Sequence, residues 1–365
     1  MRSETGRRPS PALSDHSPHT SRLTEMWLQP HWDRVTPVSC LLFPLSLVFR
    51  VGVALRRAAY RIGLAAVDRL PVPVVVVGNI TAGGTGKTPV VLWLANYLRG
   101  RGYVPGIVSR GYGGTHTAPH RVTPEADPLA FGDEPVLLAR RSGCDVWIGA
   151  DRAAAARALL AARPSCNALI SDDGLQHYGL GRDFEICLLD GTRGFGNGWM
   201  IPAGPLREPP ARLAEVDAIV TNGAIAETAG ISAWLAAPVG SERFRMALEG
   251  HEFRNLLNRE HRVTAEYFRG QRLHAVAGTG DPGRFFRHLQ GLGLDFIAHP
   301  FPDHHAYRPA DVAYPDADAV VMTEKDAVKC EPFAAETHWM LPVDARIDAR
   351  LGELVLDRLE QVSHG

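Results

Sequence analysis

Residues 74–77 are four valines in succession, and an unbroken β-branched run of this kind predicts a strand buried on both faces. The period then changes. After a glycine-rich stretch, Lys87-Thr88 opens an amphipathic helix reaching about Arg101. Further strands are predicted at Val104–Ser109, Val146–Ile148, Ala168–Ser171, Phe184–Leu189 and Asp217–Thr221. Helices are predicted from Gly132-Asp133-Glu134-Pro135 to about Arg141 and from Arg152 to Ala162, with a Pro- and Thr-rich loop over 115–131. Strands alternating with helices of this length imply an α/β fold with a doubly wound parallel sheet. The periodicity weakens from about 225 to 265, where a short antiparallel crossing would fit. A second unit follows: strand Leu273–Ala277, helix Pro282–Leu292, and strands Phe296–Phe301 and Ala319–Thr323. The boundary is placed near Gly223, giving a core over 66–223 and a smaller C-terminal α/β lobe over 224–365.

The N-terminal end reads differently. Residues 1–25, rich in Ser, Pro, Arg and His, have no hydrophobic period and read as a disordered extension, with Met26-Trp27 as the working start. From Pro37 to Leu55 the chain is nearly all apolar, broken by Pro44 and Arg50. On a helix starting near Pro44, Ser46, Arg50, Arg57 and Arg61 fall within about 60° of one another. Leu45, Val48, Gly52, Leu55 and Ala59 take the opposite side. A basic stripe facing an apolar stripe suits a helix in the headgroup region, its arginines near anionic lipid. Residues 26–65 are therefore read as a membrane-associating segment. The alternatives are a helix docked on the protein's own core and a single spanning helix.

Composition changes the picture little. A chain of 365 residues, 45% hydrophobic and 22% charged, is long enough for two cores. A formal charge of −1 argues against bulk nucleic-acid affinity. Cys40, Cys144, Cys166, Cys187 and Cys330 form no C-x-x-C pair, which suggests free thiols and no structural zinc.

The chemistry concentrates at strand ends. Thr81-Ala82-Gly83-Gly84-Thr85-Gly86-Lys87-Thr88 lies between a predicted strand and a predicted helix, the context of a phosphate-binding P-loop. Its glycines let backbone N–H groups converge on phosphate oxygens at the positive end of the helix. Lys87 would reach the β- and γ-phosphates and the Thr88 hydroxyl would sit on Mg²⁺. The first glycine of the motif is replaced by Thr81, and a tight turn without phosphate is the alternative. Asp172 and Asp173 end a predicted strand, where a carboxylate beside a P-loop holds Mg²⁺, directly or through water; Gln176 and His177 share that rim. Asp133 and Glu134 open a helix, where an N-capping role for Asp133 is locally sufficient. His304 and His305 lie beyond a strand of the second lobe, and at most one of two adjacent histidines can face a site; a surface turn is the other reading. Arg207 follows the rigid Pro202-Ala203-Gly204-Pro205-Leu206 and could be presented to phosphate. Thr323-Glu324-Lys325-Asp326 has its lysine one place late for guanine reading, so GTP is not inferred.

In order along the chain, Val-Gly-Asn-Ile-Thr-Ala-Gly-Gly-Thr-Gly-Lys-Thr-Pro (77–89), Ser-Arg-Gly-Tyr-Gly (109–113) and Gly-Asp-Glu-Pro (132–135) are followed by four more motifs. These are Asp-Asp-Gly-Leu-Gln-His (172–177), Gly-Asn-Gly (196–198) with Pro-Ala-Gly-Pro-Leu-Arg-Glu (202–208), Phe-Pro-Asp-His-His (301–305) and Thr-Glu-Lys-Asp-Ala-Val-Lys (323–329). Together they resemble the tetraacyldisaccharide 4′-kinase family, from about Met26 to near the C-terminus. Thr81 in the first-glycine slot fits that family; Ala277-Gly278-Thr279-Gly280-Asp281-Pro282 diverges from its usual Gly-Ile-Gly-Asn-Pro. The resemblance implies ATP-dependent, Mg²⁺-assisted phosphorylation of the 4′-hydroxyl of a tetraacyl glucosamine disaccharide 1-phosphate, giving lipid IVA at the cytoplasmic face of the inner membrane. It also implies that Asp133 and His304 pair across the cleft, Asp133 nearer the sugar hydroxyl, while Lys87 and Arg207 stabilise charge. Rival readings are a membrane-associated P-loop ATPase without a lipid acceptor and a non-catalytic nucleotide-binding scaffold.

Overall fold

A computed structural model describes residues 28–226 and 240–364. The expected extension 1–25, the Met26-Trp27 start and part of the weakly periodic stretch lie outside the described residues. In chain order the principal elements are α1 (Pro37–Arg61), β1 (Val74–Asn79), α2 (Lys87–Gly100), β2 (Pro105–Ser109), β3 (His120–Val122), α3 (Asp133–Ser142), β4 (Asp145–Ile148), α4 (Arg152–Ala162), β5 (Ala168–Asp172), β6 (Phe184–Asp190) and β7 (Ala218–Asn222). Then come β8 (Glu242–Glu249), β9 (Phe253–Asn255), β10 (Arg262–Val263), β11 (Leu273–Ala277), α5 (Pro282–Gly291), β12 (Ile297–Pro300), β13 (Ala319–Thr323), α6 (Glu324–Cys330), β14 (His338–Leu341), β15 (Asp344–Ile347) and α7 (Ala349–His364).

Two sheets result. The larger runs β15-β8-β7-β6-β1-β5-β2-β4-β3, parallel from β8 to β4 with antiparallel β15 and β3 at its edges. The valines of β1 are buried on both faces, as a central parallel strand requires. The smaller sheet runs β10-β9-β14-β13-β11-β12, its last four strands parallel. The division between the sheets does not fall at Gly223. Strand β8 pairs with β7 from Ala218↔Glu242 to Asn222↔Met246, β15 pairs with β8, and α7 buries Leu351, Val355 and Leu359 in the core beneath α2. The chain thus leaves the first sheet after β8 and returns at β15. Sequence periodicity is local and carries no signal of such a return.

Helix α1 corrects two expectations. It begins at Pro37, with no break at Pro44, because Thr36 and Ser39 form a reciprocal capping box and Pro37 occupies the first turn. Its polar stripe also points the other way. Ser46 is buried, donating to the Met200 carbonyl at 2.7 Å and accepting from the Ala203 amide at 3.0 Å. Phe43 packs tilted against Trp199 at 4.5 Å, Arg57 and Arg61 pair with Glu215, and Tyr60 meets Tyr178. The apolar stripe faces outward: Leu41, Val48 and Leu55 are 80%, 70% and 66% exposed. An angular plot fixes which residues share a side, but not which side the body takes. Here acidic Glu215 and free backbone groups of 200–203 claim the polar stripe. A 25-residue helix, about 37 Å long, long and apolar enough to cross a membrane, is instead held along the body from end to end with its greasy face open. That arrangement suits membrane association through one face.

Candidate active site

Strand β1 ends in the glycine-rich loop, and its neighbours hold that loop from both sides. Asn79 Nδ2 donates to the Gly83 carbonyl and to Thr85 Oγ1, each at 3.3 Å, and Asn222 Nδ2 at the end of β7 donates to the Thr85 carbonyl at 3.0 Å. Gly86, the residue preceding α2, has φ +92°, and a Cβ there would lie 2.7 Å from Asn222 Nδ2. Thr81 forms a backbone bridge with Leu206, while Ala82 N donates to the Pro205 carbonyl at 2.8 Å. The segment 205–207 therefore props the loop where the motif's first glycine would be, which is why a threonine serves there. Thr88, the second residue of α2, lines the cleft.

Asp172 ends β5 and Asp173 follows it on the same rim. Asp173 gathers the site's cations: Lys87 Nζ lies 3.6 Å away, Arg207 Nη1 3.1 Å, and Arg152 binds its carbonyl at 2.7 Å. Burial pushes the Asp173 carboxyl up, but Lys87, Arg207 and Arg152 outweigh it and hold it well below the usual carboxylate range. Asp172 is the reverse case. Burial first, then the like charges of Glu134 and Asp173, push it up to about 7 against Lys87 and the Ser109 hydroxyl. Among the described residues its Oδ1 is buried without a hydrogen-bond partner. Gln176 Nε2 donates to Glu208 Oε1 at 2.8 Å, fixing the rim beside Arg207. His177 lies 3.8 Å from Asp151, away from that rim contact.

The opposite wall comes from the second sheet, whose strands β11, β12 and β13 also end at the cleft. His304 Nδ1 meets Asp133 Oδ1 at 2.9 Å and Oδ2 at 3.1 Å across 171 residues of chain. Asp133 is the first residue of α3, after Gly132, so the N-capping alternative does not describe it. Its carboxylate is enclosed by His304, by Lys329 at 3.3 Å and by the Glu134 amide at 2.8 Å. Burial raises its pKa, but Lys325, His304 and Lys329 outweigh this and hold it far below the usual range. For His304, burial and Lys325 work downward, and Asp133 with Asp303 overcomes them, so the imidazole is raised above its ordinary 6.5. His304 lines the cleft, whereas Asp133 is 3% exposed and meets the imidazole from its far side. Of the adjacent histidines, His305 turns to Asp311 at 3.2 Å. Among the described residues, the two non-glycines with left-handed φ are Asp173 (47°) and His304 (57°). Each costs on the order of 1–3 kcal/mol of strain, and both line the cleft.

The phosphate loop from Ala82 to Thr88, Asp173, Arg207 and His304 line one cleft of about 990 Å³, which also includes Arg193, Tyr112, Glu134 and Lys325. Sequence reasoning did not assign Lys325 or Lys329. They stand one turn apart on α6 and reach across to Glu134 (2.8 Å) and Asp133. The i, i+4 lysine spacing after a strand was the available signal. Among the described residues no group of three His, Cys, Asp or Glu is preformed for a metal, and all five cysteines are free thiols.

The chain is similar to known proteins over most of its length. A family model described as tetraacyldisaccharide-1-P 4′-kinase matches residues 38–360. A tetraacyldisaccharide 4′-kinase of Aromatoleum aromaticum is 51% identical over 334 residues, 92% of this chain and 96% of its own length. One from Methylobacillus flagellatus is 48% identical over 336 residues, with the same coverage. A crystal structure of LpxK from Aquifex aeolicus in complex with ATP superposes with a TM-score of 0.73 at 28% identity, covering 88% of this chain and 99% of that one.

Proposed function

The chain belongs to the tetraacyldisaccharide-1-phosphate 4′-kinase family, and on that premise we propose how its cleft works. It is an ATP-dependent kinase that moves the γ-phosphate of ATP to the 4′-hydroxyl of a tetraacyl glucosamine disaccharide 1-phosphate, giving lipid IVA. The triphosphate lies along Thr81–Thr88, its oxygens taking the loop's N–H groups, with Lys87 at the β- and γ-phosphates. As the phosphates arrive, Lys87 and Arg207 turn from Asp173 toward them. The sugar hydroxyl approaches from the His304 wall. A sugar hydroxyl does not ionise at neutral pH, so His304 Nε2 accepts its proton while Asp133 holds Nδ1–H and balances the imidazolium. The observation that carries this reading is the 2.9 Å contact between His304 and Asp133, made from two lobes over one phosphate loop. Incubating enzyme and labelled ATP with and without the disaccharide lipid separates it from the ATPase alternative. The label should pass to lipid, and acceptor-independent hydrolysis at the same rate would sink the reading.

Thr88, Asp172 and Asp173 fit a Mg²⁺ ion. The orphaned Asp172 Oδ1, crowded by the like charges of Glu134 and Asp173, is a carboxylate oxygen open to a cation. The hydroxyl and carboxylate donors suit a hard cation that keeps waters and phosphate oxygens as its other ligands. Bound there, Mg²⁺ would neutralise phosphate charge. Chelation should abolish turnover with recovery on adding Mg²⁺, and Asp172→Asn should raise the Mg²⁺ needed for half-maximal rate at least tenfold. An unchanged Mg²⁺ requirement in that variant removes Asp172 from the site.

The raised His304 sets the acid limb of the pH profile. Imidazolium accepts no proton, so kcat/KM should fall about tenfold per pH unit below an inflection lying above 6.5. Asp133→Asn should move that inflection down, since Asp133 is what raises it. The linked stability runs the opposite way: it is fully present below pH ~6.5 and fades as pH rises through the folded value.

The open face of α1 rests in the lipid headgroup region at the cytoplasmic side of the inner membrane, which holds the enzyme where its acylated substrate is. Replacing Leu41, Val48 and Leu55 together with Gln should weaken co-sedimentation with anionic vesicles by about tenfold or more. Arg57→Gln, which faces Glu215, should leave vesicle binding within threefold. The opposite ranking would mean that the arginine stripe meets the lipid.

A further inference from the structure

One cation in the cleft has no place in the scheme above. Strand β6 ends at Asp190, whose Oδ1 accepts from the Thr192 amide at 2.9 Å and the Arg193 amide at 3.1 Å. The other Asp190 oxygen pairs with Arg284 of α5, from the opposite lobe. The turn carrying Arg193 is thus fixed by backbone contacts on its own lobe and tied to the other by an ion pair. The Arg193 side chain runs to the phosphate loop. Its Nη1 and Nη2 lie 2.9 and 3.3 Å from where a Cβ on Gly83 would stand, so the guanidinium occupies the space that glycine leaves open. Gly83 itself has φ +93°.

The other cations on this side are tied down, Lys87, Arg207 and Arg152 all meeting at Asp173. Among the described residues no ion pair or hydrogen bond engages the Arg193 guanidinium. A half-buried cation that shares a cleft with Lys87 and Arg207, without a counter-ion, is positioned for an anion that arrives later. The adjacent loop is the one whose N–H groups converge on phosphate.

We propose that Arg193 is a further catalytic residue, an arginine supplied in cis that closes over Gly83 and contacts the terminal phosphate of ATP as it is transferred. This rests on the kinase reading. In the step it serves, the acceptor oxygen bonds to Pγ as the bond from Pγ to the β–γ bridging oxygen breaks. The acceptor's proton passes to His304, and the electron pair of the broken bond stays on ADP. Negative charge therefore grows on the bridging and γ oxygens next to Gly83, where a fixed guanidinium stabilises it more than it stabilises bound ATP. The Asp190–Arg284 pair makes the placement of Arg193 depend on the lobes being together.

The test compares wild type with Arg193→Ala and Arg193→Lys. Arg193→Ala should lower kcat for the lipid acceptor roughly 10²-fold, with ATP affinity changed less than threefold. It should also lose the wild type's preference for ADP–aluminium fluoride over ATP, a readout that a merely structural role would not move. Arg193→Lys keeps charge and stem and guards against a folding defect; lacking the planar fork, it should stay at least about tenfold below wild type. The proposal is overturned if Arg193→Ala turns over within threefold of wild type, if the fluoride preference survives, or if ATP affinity falls as much as rate. Failure of the wild-type enzyme itself to phosphorylate the lipid would overturn the kinase reading beneath it.

Discussion

Replacing His304 with Ala should lower kcat by on the order of 10²–10⁴ while ATP still binds with near wild-type affinity. The imidazole lies on the acceptor wall, apart from the phosphate loop, so its loss removes proton acceptance and leaves the nucleotide's contacts in place. Asp133→Asn should cost a similar factor for a different reason. The amide can offer its N–H to His304 Nδ1 and so select the wrong tautomer, and it no longer offsets the charge of Lys325 and Lys329 beside the imidazole. Because the two side chains act as one unit, the double variant should be little worse than either single one. Steady-state kinetics with a nucleotide-binding assay on the same samples reads all three. Additive losses, or a matching collapse of ATP affinity, would mean that Asp133 and His304 act separately or only support the fold. Asparagine is preferred to alanine at 133 because Lys329 is buried there and would otherwise lose its nearest partner on α3.

Lys87→Ala should be at least as damaging, with a loss of about 10³-fold or more in kcat/KM, here divided between weaker ATP binding and slower transfer. Lys87 is the first side chain of α2 and lies 3.6 Å from Asp173. Its ammonium group has a counter-ion waiting and a short path to the phosphates. Removing it leaves Asp173 still held by Arg207 and Arg152, so the rim should keep its shape and the protein its melting temperature within a few degrees. Nucleotide titration beside acceptor kinetics separates the two contributions. Unchanged affinity and rate would show that the loop does not grip the triphosphate.

Much of this architecture is legible in the chain. The strands at 273–277 and 319–323 and the helix at 152–162 have the bounds their hydrophobic period predicts, and the four valines of β1 sit at the centre of the larger sheet. The phosphate loop is legible because its chemistry is contiguous in sequence. What was not legible depends on long-range contact. The facing direction of α1 was set by Glu215 and by Met200 and Ala203, which lie 154, 154 and 157 residues from their partners. The return of β15 and α7 to the first sheet left no periodic trace. Arg193 gave no signal in sequence because its meaning comes from Gly83, on a different strand end. The Asp133–His304 pair was suggested by family resemblance, but which of the two faces the cleft is a matter of packing around Lys329.

The central claim is that one cleft grips ATP and hands its terminal phosphate to a sugar hydroxyl. A single-turnover experiment tests it most directly: enzyme preloaded with γ-labelled ATP and Mg²⁺ is mixed with excess disaccharide lipid 1-phosphate, and the product is analysed by position. The account predicts label at the 4′ position, one per enzyme-bound ATP, with the existing 1-phosphate unlabelled. Label released as inorganic phosphate at the same rate with and without lipid would contradict it.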